Sequence, residues 1–131
     1  NSTLSFQLAV SNGTTTDLDT VNVSVNFSFA QDVTPIFSAS CTGCHGSSGN
    51  LNLNGTTAQI YAQLFATANV APLQRINLTT PNASLILTKP GFNIPNDQLH
   101  GSSGTTNIFN GPTNTSYLTI LSWITQGADN N

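Results

Sequence analysis

The chain has 131 residues and a net charge of −3, and only 5% of its residues are charged, two basic and five acidic. Average proteins carry about 25%. That scarcity excludes a basic patch for nucleic acid, and no apolar run approaches the ~20 residues of a membrane-spanning helix. Solubility falls to Asn, Ser, Thr and Gly, a surface with little like-charge repulsion to oppose self-association.

The length suits one small domain with an appendage. Leu4, Phe6, Leu8 and Val10 alternate with polar residues, and Val21, Val23, Val25, Phe27 and Phe29 do so again. This is the period of half-buried strands. Asn12-Gly13 and the Asp17–Thr20 stretch supply turn chemistry between them. Residues 1–30 are therefore predicted to form a β-hairpin or two adjacent strands. The wording LSFQLAVSNGTTTDLDTVNVSV resembles the last two strands of PKD and cadherin-like immunoglobulin repeats. A lone hairpin is marginal in water. Its cover is its own domain, the rest of a larger sandwich, or a neighbouring subunit joined by strand addition. The last option fits the weakly charged surface, and a head-to-tail contact of that kind builds filaments.

A second region begins at Asp32. Thr34 is a candidate N-cap with Pro35 at the first helical position, and Ile36 and Phe37 share an apolar side. The helix leads into Cys41-Thr42-Gly43-Cys44-His45, which uses both cysteines of the chain. C-x-x-C-H is the attachment signature of c-type haem. Two thiols three residues apart project from one side of a helical turn, where they can add to the two vinyl groups of a porphyrin, and the next residue supplies the proximal imidazole. Three other readings stand beside it. A disulfide or thioredoxin-like site would want a βαβ pattern, which is absent. Zinc held by Cys41, Cys44, His45 and His100 has the right ligand number, but adjacent Cys and His ligands are awkward. The third is a plain pair of buried thiols.

VTPIFSASCTGCHG resembles the first helix and haem-attachment turn of small monohaem c-type cytochrome domains, and SYLTILSWITQGA resembles their C-terminal helix. The resemblance spans residues 32–128. It implies covalent haem c on Cys41 and Cys44, with His45 as the proximal iron ligand. In that family the loop before the last helix supplies the sixth ligand, often methionine. This chain has no methionine, and His100 is the expected ligand, giving bis-histidine coordination.

Between these segments, residues 46–56 are a Gly/Ser/Asn-rich loop. Residues 57–68 are predicted helical, with Ile60, Tyr61 and Leu64 on one side. Tyr61 reads as core. Arg75 is either a partner for a haem propionate or an exposed solubilising charge. A short helix is expected from Pro81 through Leu87, stopped by Pro90, followed by an irregular stretch over 90–113. The last helix runs from Ser116 to Gln126 with the stripe Tyr117, Ile120, Leu121 and Ile124, and Gly127 ends it.

The expected fold class is mainly α: a cytochrome c-like helical haem domain over residues 31–131 behind an N-terminal strand pair over residues 1–30. Six-coordinate iron has no vacancy for oxygen or peroxide, so electron carriage is expected rather than an enzyme, with redox proteins or an extracellular acceptor as partners. The sharper expectation is a filament of copies joined by the N-terminal strands. A structural or adhesive subunit stapled by haem, and a ligand-binding haem protein, are the alternatives. The resemblance and the composition place the chain outside the cell or on its surface, with the periplasm as the alternative. Eight N-x-[ST] sequons, at Asn1, Asn12, Asn22, Asn26, Asn54, Asn77, Asn82 and Asn114, are candidates for glycosylation.

Overall fold

The computed structural model describes residues 2–46, 48–66, 68, 73–90 and 108–131, the side chain of Ser2 excepted. Strands β1 (Ser2–Ser11) and β2 (Thr16–Val25) pair antiparallel as the one sheet among the described residues. Thr and Val, stiff at χ1, favour this extended state. The turn falls at residues 12–15. Gly13 adopts φ +91°, a conformation only glycine takes without strain. The Asn12 Oδ1 accepts from the Thr14 and Thr15 N–H groups at 2.9 and 2.8 Å. Asp17–Thr20, expected to contribute turn chemistry, lie inside β2.

The chain then leaves the sheet. Phe27 and Phe29 continue the alternation in sequence, yet β2 stops at Val25. A π-helical turn, Phe29–Val33, begins instead, with the Ser28 hydroxyl accepting from the Gln31 N–H. Phe29 is fully buried and its ring stacks on Trp123 at 5.0 Å between centroids. Burial of two aromatic rings in the body outweighs continuation of the strand. The hairpin thus ends before Phe27, and residues 27–30 belong with the helices rather than with the N-terminal segment.

Helix α1 (Thr34–Ser40) follows directly, with Pro35 in its first turn. Helix α2 (Thr57–Phe65) opens on a capping box between Thr56 and Gln59. A single 3-10 turn, Pro81–Ala83, leads into the short α3 (Leu85–Thr88). Helix α4 (Thr115–Thr125) is capped by the Asn114 side chain, which accepts from the Tyr117 N–H, and Gly127 at φ +107° turns the chain away from it. The core gathers Phe29, Val33 and Phe37 with Leu53, Leu64, Leu87, Ile120 and Trp123. No helix among the described residues is long and apolar enough to cross a membrane.

The expectation of a mainly α chain does not hold. Two ten-residue strands stand against α-helices of only 7, 9, 4 and 11 residues, and the architecture is mixed α/β. The reason is local. The polar stretches at residues 52–55 and 77–80 bond to their own backbone in turns instead of propagating helix, as Asn52 does by accepting from the Asn54 N–H and Asn77 by accepting from the Thr79 and Thr80 N–H groups. The hairpin meanwhile runs its full length.

Candidate functional site

Helix α1 delivers the cysteine pair. Beyond Ser40 the helical path continues as tight turns. The Cys41 N–H donates to the Phe37 carbonyl at 2.8 Å, and the Cys44 and His45 N–H groups both donate to the Cys41 carbonyl, at 3.2 and 2.9 Å. Both thiols are free of a disulfide; Cys41 is half-buried and packs against the core, and Cys44 is exposed. Burial, and then the neighbouring Cys44, push the Cys41 thiol up from its ordinary 9.0 to about 11. A thiol that holds its proton so firmly is a poor redox nucleophile.

His45 is oriented by the loop behind it. Its Nδ1 lies 3.0 Å from the Ser48 carbonyl oxygen. A carbonyl only accepts, so Nδ1 carries a proton and donates this bond. Gly49 comes close over the ring: a Cβ there would sit 3.2 Å from the His45 Cε1, and its φ is +73°. The His45 carbonyl in turn accepts from the Leu53 N–H at 2.6 Å. The loop is therefore tied to His45 twice, to the ring through Ser48 and to the backbone through Leu53.

Arg75 holds that loop to the body. It is only 6% exposed, so it is not the solubilising surface charge that composition allowed. Its Nη1 donates to the carbonyls of Gln63 and Ala66 at 2.8 Å each, and its Nη2 to the Asn50 carbonyl at 2.7 Å. The first two carbonyls end α2, where a cation complements the helix dipole. Burial draws the Arg75 pKa below its ordinary value, and a guanidinium still remains charged at neutral pH. The sequence offers Arg75 as a propionate partner or a surface charge. The partners seen here are backbone carbonyls, which leave no trace in a pattern of side chains.

The remaining site residues divide. The Tyr61 hydroxyl donates to the Ala128 carbonyl at 2.9 Å, and its ring packs on Phe29 and Trp123, as its core reading requires. Burial, then Asp129, raise its pKa. His100 lies outside the described residues. Among the described residues no three His, Cys, Asp or Glu side chains gather as a group able to hold a metal ion. Residues that sequence reasoning missed are Ser48, Gly49 and Asn50; the first two act through backbone position, and Asn50, at φ +52°, through its carbonyl. Gly49 alone carried a signal, as a glycine four residues beyond the histidine.

The donor set suits a covalently bound porphyrin: two unpaired thiols one helical turn apart, followed by an imidazole whose Nδ1 is held by a backbone carbonyl. No protein-family model matches the chain, and no curated protein or solved structure matches it either.

Proposed function

We propose that the chain is an extracellular monohaem c-type cytochrome that carries single electrons and is not an enzyme. The observation that carries this reading is the His45 imidazole, held through its Nδ1, beside two unpaired thiols. The haem reading does not ask the three side chains to converge on one point, because thioethers form at the porphyrin edge while the imidazole binds at its centre. A tetrahedral zinc site does ask it. When bound, the haem supplies one-electron exchange at its iron. Cys41 and Cys44 would set its orientation, and the bond from Nδ1 to Ser48 keeps the imidazole from turning. His100 is the proposed sixth ligand, and two imidazoles should hold the potential below that of a Met/His pair. Redox proteins or an external acceptor would exchange electrons with it.

The test is an absorption spectrum of purified protein, oxidised and reduced, before and after denaturation. Haem bands that survive denaturation, with no thiol left to titrate, are expected. A colourless chain with two titratable thiols overturns the reading. Carbon monoxide binding to the reduced protein would move the assignment to a ligand-binding haem. The exposed hairpin favours a structural subunit as the second reading, and a haem that cannot be cycled reversibly in a potentiometric titration would support it.

A further inference from the structure

We propose that one face of the β1–β2 hairpin docks on the helical body of a second copy of this chain, joining copies head to tail. The inference names a partner for the proposed electron carrier, but it rests on the hairpin and stands independently of haem.

Leu4 lies opposite Val23, Phe6 opposite Val21, Leu8 opposite Asp19 and Val10 opposite Asp17. Residues directly opposed in an antiparallel pair share a face. One face is therefore apolar, with Val25 extending it and two acids at its tip. The other carries Thr3, Ser5, Gln7, Thr20, Asn22 and Ser24, with Ala9 opposite Leu18 as its one apolar pair, near the turn. A hairpin so divided is built to lie on a surface. Yet the apolar side chains are 41–63% exposed. Together they offer on the order of 700 Å² to a partner, close to the ~800 Å² that each side of a standard interface contributes.

The hairpin's own body does not provide the cover, because its root is fixed. The Gln126 side-chain amide donates to the Val25 carbonyl at 3.0 Å and accepts from the Phe27 N–H at 2.8 Å. Asn131 grips the next residues: its backbone carbonyl accepts from the Ser28 hydroxyl at 2.8 Å, and its Oδ1 accepts from the Phe29 N–H at 2.9 Å. These bonds direct the strands outward, and every residue from Thr3 to Asn26 is exposed.

The cover must be apolar and nearly uncharged, since charges buried under Phe6 and Val21 would lose their hydration. The body of this chain has that character. It exposes Phe65, Leu78 and Leu118 at 45%, 53% and 44%, and its partly exposed Lys89 offers a counter-charge to Asp17 and Asp19. Hairpin packed on hairpin would close a dimer and leave the exposed apolar residues of the body bare, whereas hairpin on body brings apolar residues of both under cover. The apolar side chains share one face of the hairpin, and the proposed contact is made by that face. One hairpin and one receptor per copy leave both ends open, and such contacts propagate.

The experiment is light scattering of the full chain over a concentration series, with negative-stain electron microscopy of the same samples. The native chain is expected to grow into rods. Phe6→Thr with Val21→Thr keeps strand propensity and removes the apolar centre; Leu78→Ser with Leu118→Ser alters only the receptor. Each pair should raise the concentration needed for growth by about tenfold or more. Gln7→Thr on the polar face should change nothing. A native chain that stays monomeric, growth that stops at dimers, or either apolar pair assembling like the native chain overturns the proposal. If the hairpin pair loses its strand signal in circular dichroism, the receptor pair alone decides. Absorption of the same samples reports haem separately, so failure of the cofactor reading and failure of assembly are distinguishable.

Discussion

Arg75 brings a charge into the interior and spends three of its N–H groups on the carbonyls of Gln63, Ala66 and Asn50. Arg75→Gln strands those acceptors, and the expected loss is about 2–4 kcal/mol, read as a fall in the urea midpoint at unchanged slope. Arg75→Lys should recover only part of it, because an ammonium cannot span three carbonyls as a planar fork does. A loss within the ~0.5 kcal/mol of ordinary surface substitutions would show that water replaces the guanidinium. The two thiols give a second test, in chain produced without haem. Exposed Cys44 should be alkylated before Cys41. Cys41 should react appreciably only as the pH climbs towards about 11. The raised value also ties stability to pH. The folded thiol keeps its proton longer than the unfolded one, so its contribution is present below the ordinary thiol range and is lost as pH rises through the folded value. Equal alkylation rates at neutral pH would show that the turn does not bury Cys41. At this scale the grouping of Cys41, Cys44 and His45 in one tight turn was legible from the C-x-x-C-H spacing, while the haem they would hold is the proposal that rests on it. Arg75, Ser48 and Asn50 were not, because their roles run through backbone atoms.

The elements were legible where periodicity and capping agreed. The stop at Gly127 ends α4 in sequence and in structure, and Pro35 sits at the start of α1 as its chemistry requires. Alternation misled at Phe27 and Phe29, because a period of two continues in sequence even where a ring finds better packing against Trp123 than on a sheet. The fold class was misjudged for a related reason: helical stretches cut short by turn-forming polar residues count for less than their stripes suggest, and the hairpin for more. The join between the two parts rests on Gln126, which nothing in the sequence distinguishes from a polar residue at a helix end. Gln126→Ala removes both of its bonds to the hairpin root. The expected cost is about 1–2 kcal/mol, and hydrogen exchange at the Phe27 amide should accelerate while amides within α4 stay protected. Unchanged protection at Phe27 would mean that Asn131 alone fixes the root.

At the scale of the whole molecule the hairpin and the body differ in what holds them, and two truncations separate them. Residues 3–24 are exposed, and none of them belongs to the core or packs against it, so removing residues 1–24 should take little from the body. Its melting temperature is expected to stay within about 3 °C, less than 1 kcal/mol for a domain of this size. Removing residues 1–30, the boundary that alternation suggested, also deletes Phe29, which is fully buried beside Phe37, Tyr61 and Trp123. Loss of such a ring costs about 3–5 kcal/mol, and the cut also takes the Ser28 cap of the π-helical turn. The second truncation should therefore melt about 10 °C or more below the first, or fail to fold. Both should be unable to assemble, but only the first should keep a native spectrum. Equal melting of the two would place the boundary beyond Phe29 and detach that ring from the core; a large loss from the first would mean that the strands, exposed as they are, stabilise the body on which they stand.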